Sequence, residues 1–532
     1  MSLILVTTEN VKRVKQFDYW CSVSNKNPPE LKGALEIHNL SEKLEASVAK
    51  QADCWWSLGR VLSRSSDAIL AHMPHCTFNA SDFGLMLGWR DLAESWINGQ
   101  PLVLLVCDDP WLFREILSMG AVKIGRSPSL KIQEWRLFIR GIFARTKVTI
   151  RVLWEHLLTM SSRQNFPKKS KTLIVYGHSS SRPDGHDGYF GSLMSEEKNL
   201  MRVLHVDCIG SRREFLVDRK RTFSLHAWGS FIKAVSLPFF NWSPSAKIIR
   251  GKYGWLIRRA AMIESGTGQA AMIRWQQFCQ QTWLKETQPK LILWPWENHG
   301  WERDLVRISR SLRVSTIGYQ HTVVGRSEWN YACYGNQDGR ASLPDKIFTN
   351  GPAGLKSLQA FGHSAEFLTD MGAFRLSSFE KLSYDPEGPV FVALPFEKKI
   401  AIQMLDAVLV LAGKPWNFLV KDHPMTPFSF LENDFLRRTN KPLEEHVNIS
   451  KVIYAATTVG LESFLGGIPT IRFVPEKVVS NDPIPEAYNI LAASKDSLRL
   501  VLESKCHPSF IDVCDVFSKP DIKSWCYSIN KN

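Results

Sequence analysis

PWNFLVKDHPMTPFSFLENDFLRRTNKPLEEHVNISKVIYAATTVGLESFLGGIPTIRFVP, residues Pro415 to Pro475, holds two strand-to-loop corners. In the first, the apolar run Trp416 to Val420 has the length of a buried parallel strand and ends in Lys421, Asp422, His423 and Pro424, so a cation and an imidazole stand at the strand's carboxyl end. In the second, Val452 to Ala456 reads as a strand, Thr457 and Thr458 as a helix start, Gly460 to Leu465 as helix and Gly466-Gly467 as its stop. Ile468 to Phe473 then resumes as a strand. Strand, hydroxyl-started helix and strand make a βαβ unit, and sheets built from such units bind ligands at the carboxyl ends of their strands. Two corners of this kind predict a pocket for a nucleotide mono- or diphosphate.

Working outward, the chain of 532 residues is 44% hydrophobic and 22% charged, enough for two or three domains with cores of their own. The formal net charge is +14, with local clusters at Arg212, Arg213, Arg219, Lys220, Arg221 and at Lys247, Arg250, Lys252, Arg258, Arg259. Such a balance suits an anionic partner, or else a solvated basic face. The ten cysteines are spread singly without a C-x-x-C, the pattern of reduced buried thiols and a cytoplasmic protein. No window reaches the roughly 18 apolar residues of a membrane-spanning helix, so the expectation is a soluble or peripheral protein.

Residues 1–165 carry a strand at Leu3 to Thr7, a helix through 41–63 and a strand at Leu102 to Cys107 that ends in Asp108-Asp109-Pro110. An acidic pair there can hold a metal, but carboxylates at strand ends commonly cap the next helix, and no metal site is expected. A helical run from Ile132 to Met160 leads to the polar, proline-broken Asn165 to Ser170, the first expected domain boundary. A strand at Thr172 to Tyr176 is followed by GHSSSRPDGHDGYFG, which is either a ligand-approaching loop or a long surface loop. The segment SLPFFNWSP at 236–244 sets an apolar wedge beside basic residues, as an interfacial segment would; core packing of Phe239, Phe240 and Trp242 is the commoner use.

Leu291 to Trp294 and Val314 to Tyr319 read as neighbouring strands around a helix at Trp301 to Leu312. Their carboxyl ends deliver Glu297, His299 and Glu302 from one and Gln320 and His321 from the other. A carboxylate and imidazoles gathered at one sheet edge can supply a general base and hydrogen bonds to a polyhydroxy ligand. Glu297 and Glu302 also sit where negative charge complements a helix N-terminus, yet the convergence of two strand ends favours chemistry. Strands at Lys346 to Thr349, Glu366 to Leu368 and Pro389 to Leu394 read as the opening of a further α/β domain.

The order of a GYQH strand end, a KDHP corner and a TTxGLExxxxGxP helix resembles the GT-B glycosyltransferases of bacterial surface-carbohydrate synthesis. It is most similar to the lipopolysaccharide-associated surface carbohydrate biosynthesis proteins, whose wider relatives include sialyltransferases and Kdo transferases. The likeness covers about 172–475 and leaves 1–165 unplaced. It implies an α/β protein with a GT-B-like pair of Rossmann-type domains facing across a cleft: 1–165 an additional N-terminal α/β region on the acceptor side or accessory, 171–340 the N-terminal Rossmann-like domain, 345–515 the nucleotide-sugar-binding domain, and 516–532 a C-terminal helix. The family's HP motif, which contacts donor phosphate and cytidine, matches His423-Pro424, and its paired hydroxyls match Thr457-Thr458. Glu462 stands where many such enzymes hold the nucleotide ribose. The family's acidic base motif has no clear counterpart here, and Glu297 is its substitute, with Glu302 and His299 behind it.

The expected reaction is transfer from a nucleotide sugar, a CMP-activated ulosonic acid being one candidate, to a growing polysaccharide or lipopolysaccharide. No cofactor or metal is expected: Lys421, His423 and the threonines would stabilise the departing phosphate and Glu297 would deprotonate the acceptor. Trp294, Trp296 and Trp301 would offer faces for a sugar ring. The basic surface would suit a lipid-linked acceptor at the inner membrane, and nucleic acid is not an expected partner. A CDP-alditol phosphotransferase, a sugar-nucleotide epimerase and a non-catalytic nucleotide- or glycan-binding protein share the same expected fold.

Overall fold

The computed structural model describes residues 2–24, 28–62, 73–76, 78, 81–375, 381–423, 426–485, 488–504 and 511–531. Three wholly parallel sheets organise these residues, each with short apolar central strands of the kind that helices cover on both faces. The first contains β1 (Leu3–Val6), β2 (Tyr19–Ser22), β3 (Val103–Val106) and β4 (Val122–Lys123) in the order β2-β3-β1-β4.

The second sheet contains β5 (Lys171–Val175), β6 (Leu200–Leu204), β7 (Thr222–Ser224), β8 (Leu291–Pro295), β9 (Ser315–Gln320), β10 (Lys346–Thr349) and β11 (Leu368–Asp370). Its order, β7-β6-β5-β8-β9-β10-β11, is that of a doubly wound sheet whose winding reverses between β5 and β8. The third contains β12 (Val390–Ala393), β13 (Phe418–Lys421), β14 (Leu436–Thr439), β15 (Lys451–Tyr454), β16 (Thr470–Phe473) and β17 (Leu491–Ala493). The order β14-β13-β12-β15-β16-β17 repeats the pattern, with the reversal between β12 and β15. The fold is therefore α/β: two Rossmann-type domains with an additional N-terminal α/β region.

The domain limits differ from those expected. Lys346–Thr349 pairs with β9 and with Leu368–Asp370, so these strands extend the second sheet and the third begins at Val390, not near 345. Strand pairing, which an apolar run does not announce, sets that limit. Nor does packing change at residue 165. The Leu130–Thr159 helix places Val148 and Val152 in the core of the second domain. The Gly254–Ser265 helix in turn places Leu256, Ile257 and Ala260 in the core of the first sheet. These two helices touch at Gly141, where a Cβ would lie 1.8 Å from the carbonyl oxygen of Ser265. Any side chain there would push them apart.

The expected helix through 41–63 is two, Leu40–Ala49 and Ala52–Leu62. At the end of the chain, the Ile522–Lys531 helix crosses back to the second domain. Its Trp525 is fully buried among Phe190, Tyr319 and Phe348 and donates its indole N–H to Met371 O at 2.7 Å. Part of the two basic clusters is engaged internally. Arg213 pairs with Glu155 at 2.6 Å, Arg259 with Asp82 and Asp109 at 2.6 and 2.7 Å, and Arg212 and Arg221 bind main-chain carbonyls.

Candidate active site

Doubly wound sheets bind ligands in the crevice at the carboxyl ends of the strands where the winding reverses. In the second sheet that crevice opens between the loops after β5 and β8, which begin at Tyr176 and at Trp296. Glu297, His299 and Glu302 are brought together there: His299 Nδ1 lies 3.4 Å from Glu297 and 3.9 Å from Glu302, and His321 Nε2, arriving from β9, lies 3.8 Å from Glu297. The loop is held by an unusual turn. Asn298 is buried with φ of 58°, a left-handed conformation that asparagine tolerates better than most residues. Its amide donates to Asn330 O at 2.8 Å and Asn336 Oδ1 at 2.9 Å. With the chain so turned, Glu302 accepts the backbone N–H groups of Glu297 at 3.0 Å and Asn298 at 2.7 Å.

Burial dominates the electrostatics. It raises the pKa of Glu302, 1% exposed, and the charge of Glu297 raises it further, against the two backbone donors. Burial raises Glu297 as well, and His321 opposes it. Glu297 nevertheless keeps 31% of its side-chain surface exposed, the largest share in the cluster and the part a substrate can reach. His299 and His321 are both pushed down to about 4, first by burial, so at neutral pH both rings are uncharged, each with one ring N–H to donate and one bare nitrogen to accept. Glu328, pushed up to about 8 by burial and Glu297, adds a third carboxyl to the surroundings.

The glycine- and serine-rich loop after β5 folds onto this crevice. Its Tyr189 meets the His321 ring edge-on at 4.9 Å and His178 at 5.5 Å. Tyr176 and His205 from β5 and β6 pack at 4.6 Å beside Trp301. Sequence reasoning missed Tyr176, Tyr189 and His205, because only the strand order places β5 and β6 beside β8.

Gln320 takes a different part from the one expected. It is wholly buried, donating to Thr322 O and accepting from Asn350 N at 3.3 Å, and so it orders the loops after β9 and β10. Trp294 and Trp296 are core side chains, 0% and 1% exposed, and offer no face to a sugar. Trp301, at 8%, lies against His205. Asp109 caps the following helix through Trp111 N and Leu112 N, both at 3.0 Å, and Asp108 binds Thr8.

In the third sheet the reversal lies between β12 and β15, so the two corners of the opening stretch flank the loop after β12. Ala393 is in register with both Lys421 and Tyr454, which brings the corners to one edge. Phe396, on that intervening loop, meets the half-buried ring of His423 edge-on at 5.6 Å. Burial lowers the His423 pKa. Lys421 donates to Asn440 O just past the neighbouring strand β14, and Asp422 pairs with Arg438. Ala456 has φ of 48°, so the turn into Thr457 and Thr458 is strained for a residue with a Cβ. Thr458 Oγ1 donates to Glu462 at 3.3 Å. Burial raises the Glu462 pKa, while Thr458 and Arg375 act against it. Pro424 lies outside the described residues.

Arg375 lies just past β11 and is exposed. Its charge acts on Glu462 of the third sheet and on His178, Tyr189 and His321 of the second. No motif marks it in the sequence. A cavity of about 1210 Å³ lies elsewhere, where the first sheet, the helices at 148–151 and 259–272, and the third domain meet. Asp82, Asp108, Arg151, Asp207 and Lys399 are among its walls. None of the residues expected to act in catalysis or donor binding lines it, so size alone does not locate the chemistry. No group of three or more residues suited to holding a metal occurs among the described residues.

No protein-family model matches the chain, and neither does any curated protein sequence. Solved structures similar to it include a glycotransferase of kitacinnamycin at 11% identity, covering 64% of this chain and 92% of that one with a TM-score of 0.35. The lipopolysaccharide outer core galactosyltransferase WaaB is similar at 14% identity, 68% and 95% coverage and a TM-score of 0.34. The UDP-GlcNAc 2-epimerase from Neisseria meningitidis is similar at 8%, 68% and 100%, and 0.36. Likenesses at this level decide no activity, and the functional reading rests on the chain's own geometry.

Proposed function

We propose that the chain is a glycosyltransferase that moves a sugar from a nucleotide-sugar donor to a growing cell-surface polysaccharide or lipopolysaccharide, without a metal. One observation carries the reading: each of two doubly wound sheets gathers polar side chains at its reversal crevice, one a carboxylate–imidazole cluster and the other hydroxyls, an imidazole and a cation. In this reading Thr457, Thr458 and His423 hold the donor phosphate, with Lys421 beside them, and Glu462 takes the ribose. Glu297 accepts the proton of the acceptor hydroxyl as its oxygen bonds to the sugar's anomeric carbon. The bond from that carbon to the phosphate oxygen breaks and the nucleotide leaves with its electron pair. Burial raises the Glu297 pKa and makes its carboxylate a stronger base once ionised.

A thermal-shift comparison of CMP, CDP, UDP and GDP identifies the donor, because only a true ligand raises the melting temperature by mass action. If none does, the reading fails at its base. Glu297 and Glu302 flank His299, at 3.4 and 3.9 Å, and burial favours the protonated form of Glu302; the pair also favours a second reading, epimerisation of a nucleotide sugar, which needs a proton acceptor and a donor at the same centre. The two part on one measurement: an epimerase converts the nucleotide sugar with no acceptor present, whereas a transferase releases nucleotide in step with a glycosylated acceptor.

A further inference from the structure

The Leu130–Thr159 helix has two unlike faces. On one, Leu137, Gly141, Val148, Val152 and Thr159 recur at helical spacing and are buried. On the opposite face Ile132, Ile139, Phe143, Ile150 and Leu157 recur at the same spacing and are exposed, Phe143 at 73% and Ile150 at 65%. Trp135 and Trp154 stand exposed beside them.

The apolar surface continues sideways. Phe231 packs edge-on against His156 at 5.5 Å, and Arg145 holds the following loop by donating to Pro238 O at 2.9 Å. Both contacts lie on the buried side of the helix, so the Phe231–Phe239 segment runs along its flank there, with Ile232 81% and Phe239 88% exposed. Phe239 is thus outside the core, whereas its neighbour Trp242 is buried. A surface this apolar is unusual unless something covers it.

Charge says what the cover is. Lys131, Arg136, Arg140 and Lys147 on the helix and Lys233 on the adjoining segment are exposed. The helix has only two carboxylates, both engaged away from the apolar face: Glu134 with Arg258 at 2.7 Å, and buried Glu155 with Arg213 at 2.6 Å. A second copy of the chain would bring two wholly basic flanks together with no carboxylate to pair them. An apolar stripe with exposed tryptophans and a basic flank instead matches a helix lying in the headgroup region of an anionic bilayer. No helix among the described residues is long and apolar enough to cross one.

We propose that this face, the outer side of the Leu130–Thr159 helix with the Phe231–Phe239 segment, docks on an anionic phospholipid bilayer. The docking extends the transferase reading without depending on it. The inner side of the same helix lends Val148 and Arg151 to the wall of the 1210 Å³ cavity. Docking therefore sets that cavity about one helix diameter, roughly 10 Å, from the headgroups, within reach of a lipid-anchored substrate.

Co-sedimentation of the full chain with vesicles of phosphatidylcholine alone, and of phosphatidylcholine mixed with phosphatidylglycerol, tests the proposal. The wild-type chain should bind the mixed vesicles about tenfold or more better than the neutral ones. Phe143→Glu with Ile150→Glu, and separately Arg136→Glu with Lys147→Glu, should each weaken that binding by about tenfold or more. Their melting temperatures should stay near that of the wild type, since all four side chains are exposed. Equal binding to both vesicle types, or retention by either double variant, overturns the proposal. So does a chain that ignores vesicles and sediments as a dimer that the Phe143→Glu, Ile150→Glu pair turns into monomer, which assigns the face to a second copy. Nucleotide binding enters none of these measurements, so failure here and failure of the transferase reading are told apart.

Discussion

The crevice of the second sheet is braced, while that of the third is open. Around Glu297 the loop is tied by Glu302 to two backbone N–H groups and by Asn298 to Asn330 and Asn336, and both imidazoles are held uncharged by burial. Across from it, His423 is half-buried against the exposed Phe396, Lys421 is turned to a neighbouring carbonyl, and the threonines stand at a strained turn. The contrast suits a division of tasks. A group that moves a proton gains from a fixed, low-dielectric setting before the substrate arrives, whereas a phosphate brings its own charge and can draw its partners into place.

The sharpest way to break that contrast is Glu297→Gln. The change keeps shape and removes the base, so turnover should fall by about 10² to 10⁴ while donor binding, read by thermal shift, is kept. Retained turnover would remove the braced crevice from the chemistry. Next in size is Glu302→Ala, which leaves two buried backbone donors without their acceptor and should cost about 3 kcal/mol in denaturant unfolding. The matching change in the open crevice, Thr458→Ala, should cost less than about 1 kcal/mol. Equal losses would show that the two edges are braced alike.

Much of the contrast was out of reach of the sequence. Apolar runs mark β1, β3, β8, β12 and β15 within a residue or two, because strands buried on both faces are continuous in composition. β7, β14 and β17 escape notice because three or four residues at a sheet edge, TFS, LRRT and LAA, make no apolar run long enough to read. Glu297, His299 and Glu302 were legible as a cluster since eight residues of one loop and helix turn carry them. Tyr189 and Arg375 were not, because each reaches the site from another part of the chain and only the order of strands brings it there. The same limit explains Trp294 and Trp296: a tryptophan near a site in sequence points to the core when its strand is covered on both faces.

A smaller effect separates the crevices by pH. His299 and His321 titrate near 4 in the folded chain against 6.5 when exposed. Below pH 6.5 the unfolded chain takes up protons that the folded chain refuses. Stability is therefore full above that pH and is lost as pH falls toward 4, by at most about 1.4 kcal/mol per pH unit for each ring. Replacing both rings by glutamine should flatten the pH dependence of urea unfolding over that window. His423→Gln should change it less, the ring being only half-buried.

Lys421→Ala should have the smallest effect of all, although a lysine beside a phosphate site invites the opposite expectation. With the ammonium bonded to Asn440 O, reaching the phosphate means giving that bond up, so only the difference between the two partners counts toward binding. A difference of about 0.5–1.5 kcal/mol corresponds to weakening of the donor by about two- to tenfold. His423→Ala, which removes the ring that packs edge-on against Phe396 at the mouth of the crevice, should weaken it more. A hundredfold loss on Lys421→Ala would mean that the lysine already points at the donor, and the third-sheet crevice would then be as preorganised as the second.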